Sequence, residues 1–210
     1  MVRTMTASTH DPSHVGTRLA RPADAPALAE LHMQAFPADV SDLTPLGASI
    51  VRRFYASALE RGLAHAVLAT DSLGRVLGYV LVTPDIAAMF PGSLLRGPGD
   101  IARFLVTVHP VGFARALWTK LTSGTAQVSA VPELVYLAVS AAARGRGVGA
   151  VLMGAAHEEF RRLGIQRYEL NVHADNVAAV KLYQAQGLTV ARRYSKGGRD
   201  MFNMVRELGA

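Results

Sequence analysis

The spacing of apolar and polar positions divides the chain into short strands and helices. Residues 17–21 alternate, as a half-buried strand does. Residues 25–36 place Leu28, Leu31, Met33 and Phe36 at roughly helical spacing, and Pro37 closes the segment. A second helix is predicted over 46–61, with Ile50, Phe54, Ala58 and Leu59 on one face and Gly62 at its C-terminal stop. Two apolar strands follow at 65–70 and 75–83. Asp71, Ser72, Leu73 and Gly74 between them are turn residues, so the pair predicts a hairpin.

The pattern breaks over 85–128. Pro91, Gly92, Gly97, Pro98, Gly99 and Pro110 interrupt it, and two apolar helical stretches are predicted at about 100–108 and 111–121. Phe90, Phe104, Phe113 and Trp118 collect in this segment. Strand patterning resumes at 134–139 with no long polar linker, so 85–128 reads as a helical insertion in a single domain. Beyond it come a helix at 148–163, a strand at 168–172 and a helix at 176–186. The last opens on Asp175 and Asn176, good capping chemistry, and stops at Gly187. Residues 188–193 and 201–206 read as a final strand pair.

Composition narrows the function classes. The chain has 210 residues, 18% of them charged, a net charge of +6 and no cysteine. A disulfide framework, a cysteine-based zinc site and a cysteine nucleophile are excluded. The lack of cysteine fits a reducing cytoplasm, the expected compartment. Residues 1–16 are polar and read as a flexible leader without a signal-peptide core, the domain itself spanning 17–210. No apolar run reaches the roughly 18 residues a membrane span requires. The basic balance suits an acidic partner, whether nucleic acid, an anionic membrane surface or a phosphorylated small molecule, and does not choose among them. The histidines show no metal-ligand spacing, so no metal is expected. No basic stretch is interleaved with stacking aromatics in an RNA-binding pattern, so no nucleic-acid partner is expected.

The candidate chemistry lies where a strand ends near Ser140 and a helix begins at Val148. Between them stand Arg144, Gly145, Arg146, Gly147, Val148 and Gly149. Helix N-termini have unpaired N–H groups and partial positive charge, and glycines let a ligand approach the backbone. This is an anion site suited to a pyrophosphate. No Lys-Ser/Thr follows the glycines, which argues against a Walker loop. The spacing of Gly145, Gly147 and Gly149 also departs from the dinucleotide-binding pattern.

Arg144-x-x-Gly147-x-Gly149, preceded by Leu137-Ala138-Val139, resembles the signature of the GNAT superfamily of N-acetyltransferases. Asn176-x-x-Ala179-x-x-Leu182-Tyr183-x-x-x-Gly187-Leu188 resembles its second block, with Leu188 where phenylalanine is usual. The resemblance is strong over 131–206, moderate over 17–83 and absent over 85–128. It implies an α/β (α+β) GNAT fold. A mixed, mostly antiparallel sheet would splay open at the cofactor site between flanking helices. It implies acetyl-CoA as co-substrate. The backbones of Leu137 and Val139 would hold the pantetheine arm, and the N–H groups from Arg144 through Ala150 the pyrophosphate. Asn176 would contact the pantetheine, with Ala179 beside the cofactor. Tyr183 would be the general acid for the departing thiolate.

The reaction so implied is direct attack of an amine on the thioester, which requires a base. Glu133, at the start of its strand, is the first candidate, because some relatives carry a base there; a solvated strand-end charge is the bland alternative. His173 is the second, on the same strand face as Asn171 by alternation. Phe36, Tyr136, Asn171 and His173 are the candidate acceptor-site residues. The stretches at 35–37, 43–47 and 54–55 resemble a bacterial GNAT subgroup associated with amino-sugar and polysaccharide clusters. That implies a small-molecule amine, an amino sugar or nucleotide sugar. The alternatives are acetylation of a protein N-terminus or lysine, and a non-catalytic acyl-CoA-binding module. The insertion reads as extra core or a dimer contact, then as a substrate lid, then as a peripheral membrane contact through 86–128. A monomer and a homodimer both remain open.

Overall fold

The computed structural model describes residues 15–94 and 131–209. The helical stretches predicted at 100–108 and 111–121, and most of the leader, lie outside the described residues. Seven strands form one sheet, ordered β1-β2-β3-β4-β5-β7-β6. They are β1 (Gly16–Leu19), β2 (His65–Thr70), β3 (Val76–Thr83), β4 (Glu133–Val139), β5 (Arg167–His173), β6 (Thr189–Lys196) and β7 (Arg199–Glu207). Every neighbouring pair is antiparallel except β4 and β5. The helices are α1 (Ala25–Ala35), α2 (Ala48–Glu60), α3 (Ile86–Leu94), α4 (Val148–Arg162) and α5 (Val177–Ala185). No described helix is long and apolar enough to cross a membrane.

Alternation along the strands feeds two cores, one on each face of the sheet. Val80, Val82, Leu152, Met153, Phe160 and Leu170 pack together on the α4 face. Leu28, Val51, Phe54, Tyr55, Leu68, Tyr79 and Leu81 pack on the face covered by α1 and α2. Each fully buried aliphatic or aromatic side chain contributes about 1.5–3 kcal/mol, so both layers are required to hold the sheet.

The helix α3 corrects the sequence reading, in which Pro91 and Gly92 broke the pattern. The backbone stays helical through both. Asp85 caps the N-terminus, its Oδ1 accepting from the N–H groups of Ala87 at 2.9 Å and Ala88 at 3.3 Å. Met89 is fully buried, and Phe90 stacks on Phe54 at 5.4 Å. Capping and packing on α2 outweigh the lost backbone bond at proline.

Two departures from regular sheet position the site. The strands β4 and β5 pair only at Glu133 and Glu169, so beyond that point the β5-facing edge of β4 is unpaired. A bulge also interrupts the β3–β4 ladder. Leu81 faces Tyr136 and Val82 faces Leu134, leaving Val135 as an extra residue. Strict alternation would point Glu133 and Tyr136 to opposite faces. The bulge brings both to the face that carries α1 and α2.

Candidate active site

The loop after β4 has the local geometry its glycines require. Gly145 and Gly147 have φ of 74° and 77°, left-handed values that disfavour side chains. A Cβ at either would meet nothing within 4 Å, so the conformation, rather than crowding, selects glycine there. Gly147 caps α4. The N–H groups of Gly145, Gly147, Val148 and Gly149 find no hydrogen-bond partner among the described residues. Ala150 N–H bonds Gly147 at 3.0 Å and so belongs to the first helical turn. Arg144 and Arg146 are exposed on either side of Gly145, and Arg144 Nε donates to the Val139 carbonyl at 3.3 Å. The cradle therefore continues directly from the unpaired edge of β4, which includes Leu137 and Val139.

The helix α5 closes the other side of the gap. Asn176 is its N-cap, with Oδ1 accepting from Ala179 N at 3.2 Å, which leaves its amide nitrogen available. A Cβ on Gly149 would lie 3.1 Å from Leu182 Cδ2, so the start of α4 closely approaches the second half of α5. Tyr183 is 8% exposed within the α4-side core. Its hydroxyl makes no hydrogen bond among the described residues. Burial pushes its pKa up to about 12, so it holds its proton at neutral pH.

The candidate acceptor-site residues lie on the opposite face of the sheet. Phe36 ends α1, with its ring 5.1 Å from that of Tyr136 and 4.9 Å from that of His32. Glu133 Oε1 accepts from Asn171 Nδ2 at 3.4 Å. Burial raises the Glu133 carboxyl to about 7, opposed by the Asn171 hydrogen bond, supported by Glu169 and opposed by the Lys196 charge. A carboxyl that titrates near neutrality can take up and release a proton at physiological pH. His173 lies two residues beyond Asn171 on the same face of β5, and its Nδ1 is buried without a partner among the described residues.

Several members of this region carried no local signal in the sequence. His32 is fully buried and bonds Tyr55 through Nδ1 at 2.8 Å and Ser41 through Nε2 at 2.9 Å. Tyr55 meets Tyr79 at 2.6 Å, and Ser41 meets Tyr136 at 3.4 Å. This polar chain ends in the fully buried Tyr79, so it anchors the Tyr136 hydroxyl and does not reach solvent at that end. Lys196 and Arg199, at the β6–β7 turn, pair with Asp42 at 3.0 Å and Asp39 at 2.8 Å across the site. Among the described residues no group of three or more His, Asp or Glu side chains could hold a metal ion.

A family model described as the acetyltransferase (GNAT) family matches residues 25–188. The chain is similar to a mycothiol acetyltransferase of Renibacterium salmoninarum, 36% identical over 92 residues, covering 42% of this chain and 26% of that relative. A mycothiol acetyltransferase of Mycobacteroides abscessus is 30% identical over 112 residues, 49% of this chain and 38% of the relative. The matched stretch is thus well under half the length of these relatives. Among solved structures, a Salmonella typhimurium protein, yncA, described as an acetyltransferase and solved with its cofactor acetyl-CoA, superposes with a TM-score of 0.60 at 17% identity, covering 94% of this chain and 95% of that one. The spermidine/spermine N-acetyltransferase SpeG of Vibrio cholerae gives 0.56 at 12% identity, covering 93% and 95%. These structures share the mixed α/β fold, with its seven-stranded sheet flanked by helices. With the family model spanning most of its length, the chain belongs to the acetyltransferase (GNAT) family.

Proposed function

We propose that the protein transfers the acetyl group of acetyl-CoA to a primary amine of a small molecule, an amino sugar or nucleotide sugar. The observation that carries this is the joining of two half-sites across the gap between β4 and β5. On one side are the unpaired edge of β4 and the glycine loop with its unpartnered N–H groups. On the other is Glu133, its carboxyl raised to about 7 by burial, beside the aromatic pair Phe36 and Tyr136. In this reading the backbones of Leu137 and Val139 hold the pantetheine arm. The N–H groups of Gly145, Gly147, Val148 and Gly149, with the Arg144 and Arg146 side chains, hold the pyrophosphate, while the N–H groups of Arg144 and Ala150 are taken by Ala141 and Gly147. Asn176 orients the arm through its remaining amide N–H groups, with Ala179 beside it.

Glu133 takes the proton from the acceptor's ammonium group, so that a neutral amine attacks the thioester carbonyl. His173 is the second candidate for that step. Tyr183 donates to the sulfur as its bond to the acyl carbon breaks. A free thiol titrates at about 8.5 and a free phenol at about 10, so full transfer is uphill in water. Burial raises both, because a buried thiolate is also poorly solvated, and a phenol that keeps its proton is a ready donor as charge develops on sulfur.

Two features favour a small acceptor over a protein chain. The ion pairs Lys196–Asp42 and Arg199–Asp39 bridge the two loops that flank the aromatic pair. The net charge of +6 suits a phosphorylated acceptor. Thiol release from acetyl-CoA, measured against amino sugars, nucleotide sugars, polyamines and peptides with free N-termini, tests the reading. Turnover of a sugar amine, reduced in Tyr183→Phe, supports it. Turnover of peptides alone overturns the acceptor class. Binding of acetyl-CoA without turnover of any amine, unchanged in Tyr183→Phe, overturns catalysis.

A further inference from the structure

Asn171 faces Asn203 directly across the β5–β7 ladder. It lies on the face of β5 opposite the core residues Tyr168, Leu170 and Val172. Its Oδ1 accepts from Asn203 Nδ2 at 3.2 Å and from Tyr194 OH at 3.0 Å. Its Nδ2 donates to Glu133 Oε1 at 3.4 Å. A primary amide has acceptors at one end and donors at the other. Two donors converge on Oδ1, so the oxygen is fixed toward β6 and β7 and the nitrogen toward β4. The reverse orientation would set N–H against the Asn203 N–H and oxygen against the Glu133 carboxylate. Four strands therefore take part in one directed chain of side chains ending on Glu133. The final contact is long, and its consequence is directional: the end of the amide that reaches Glu133 can donate but not accept, which favours the ionised carboxyl over the neutral acid.

We infer that Asn171 is a positioning residue for Glu133, locked in its working orientation by Tyr194 and Asn203, and that this trio sets the protonation of the acceptor-side base. The inference rests on the reading of Glu133 as the base. The other groups facing that carboxyl are Glu169 on β5, Tyr136 on β4 and Lys196 at the end of β6, with His173 further along the Asn171 face. Burial and Glu169 disfavour the charged form, whereas Lys196 and Asn171 favour it. Removing the amide deletes one of the two favourable partners and leaves the unfavourable terms in place.

The pH dependence of kcat/KM with acetyl-CoA and a turned-over amine tests this in the wild type, Glu133→Gln, Asn171→Ala, Tyr194→Phe and the Asn171→Ala/Tyr194→Phe double variant. The wild-type rate falls on the acid side of about pH 7, where Glu133 becomes protonated. In Asn171→Ala and Tyr194→Phe the acid limb moves to higher pH, so their losses are severalfold larger at pH 6.5 than on the alkaline plateau. The double variant shows the limb of Asn171→Ala alone, because Tyr194 acts through Asn171. An acid limb unmoved in Asn171→Ala, or a Tyr194→Phe shift that adds in full to it, overturns the inference. A wild-type limb that survives in Glu133→Gln instead overturns Glu133 as the base. Carbon-13 carboxyl titration of Glu133 by NMR, assigned through Glu133→Gln, gives the same answer without turnover. A Glu133 midpoint that does not rise in Tyr194→Phe, with an unchanged melting temperature, sinks the inference independently of activity.

Discussion

Lys196 Nζ lies 3.0 Å from Asp42 Oδ2, joining the β6–β7 turn to the loop after α1 across 154 residues of sequence. Arg199 repeats the link to Asp39 and adds Asp175 at 3.0 Å. Both partners in the Lys196–Asp42 pair are exposed, at 63% and 86% of the side-chain surface, so the pair is well solvated and contributes little to folding stability. Its effect is on where two loops sit. Lys196→Ala with Arg199→Ala is expected to move the melting temperature by no more than about 2 °C while raising the acceptor KM severalfold. Added salt acts in the same direction on the wild type, because exposed pairs are screened. Steady-state kinetics at low and high ionic strength, beside a thermal melt, check both halves of the statement.

Tyr183 separates proton donation from packing. Its hydroxyl is unpartnered among the described residues, so Tyr183→Phe removes no internal hydrogen bond and leaves stability unchanged or slightly improved. If the hydroxyl donates to the departing sulfur, kcat falls by about 10²-fold or more while the Kd for acetyl-CoA stays within about twofold. Calorimetric binding and turnover on the same preparation measure this. Equal losses in both would place Tyr183 in cofactor binding instead.

The glycine loop responds to conformation more than to volume. Gly147→Ala meets open space but holds φ at 77°, which costs an L-residue about 1–2 kcal/mol. That cost falls on the first turn of α4, where the unpartnered N–H groups are aimed. The expected outcome is a marked rise in the KM for acetyl-CoA, with kcat at saturation much less affected. Gly149→Ala, with Leu182 Cδ2 at 3.1 Å, needs only a side-chain tip to shift and is expected to be the milder of the two.

Acid stability follows from two buried imidazoles. Burial lowers His32 to about 4; burial, aided by the charges of Arg206 and Arg161, does the same for His157. Unfolded histidine titrates at about 6.5. As pH falls below that value the unfolded chain takes up protons that the folded chain refuses, so stability present above pH 6.5 is lost toward pH 4. Glu133 has the opposite sign. Its folded value is raised, so its contribution is present at low pH and lost as pH rises from the ordinary glutamate range through about 7. Two groups oppose one, and the net expectation is a loss on the order of 1–2 kcal/mol between pH 7.5 and pH 5. Urea midpoints at the two values check it. Glu133→Gln removes the opposing contribution and makes the acid loss steeper.

The geometry of the glycine-loop half of the candidate site was legible because its signals are local. Gly145 and Gly147, two residues apart, mark a left-handed turn at a helix start, and Asn176 caps α5. The proposed acceptor half is assembled from distant positions. Ser41 meets Tyr136 across 95 residues and Arg199 meets Asp39 across 160, separations at which composition and periodicity carry no information. The bulge at Val135 is a further case. Nothing in the run 133–139 marks it, yet without it Glu133 and Tyr136 would stand on opposite faces. The helix α3 was missed for the converse reason. Pro91 and Gly92 are strong local breakers, and packing of Met89 and Phe90 on α2 overrides them.

The lone pairing of β4 with β5 makes the sheet two half-sheets with a seam between them. One half holds β1 to β4, the other β5 to β7, and α4 is the covalent path from one to the other. A ligand lying in the seam would hydrogen-bond to β4 and contact α5, acting as a missing strand that splices the halves. Folding and cofactor occupancy are then linked by mass action, and acetyl-CoA at 100 times its Kd stabilises the protein by about 2.7 kcal/mol. The amides of Leu137 and Val139 would register that splice directly, as slowed hydrogen exchange at the exposed edge of β4.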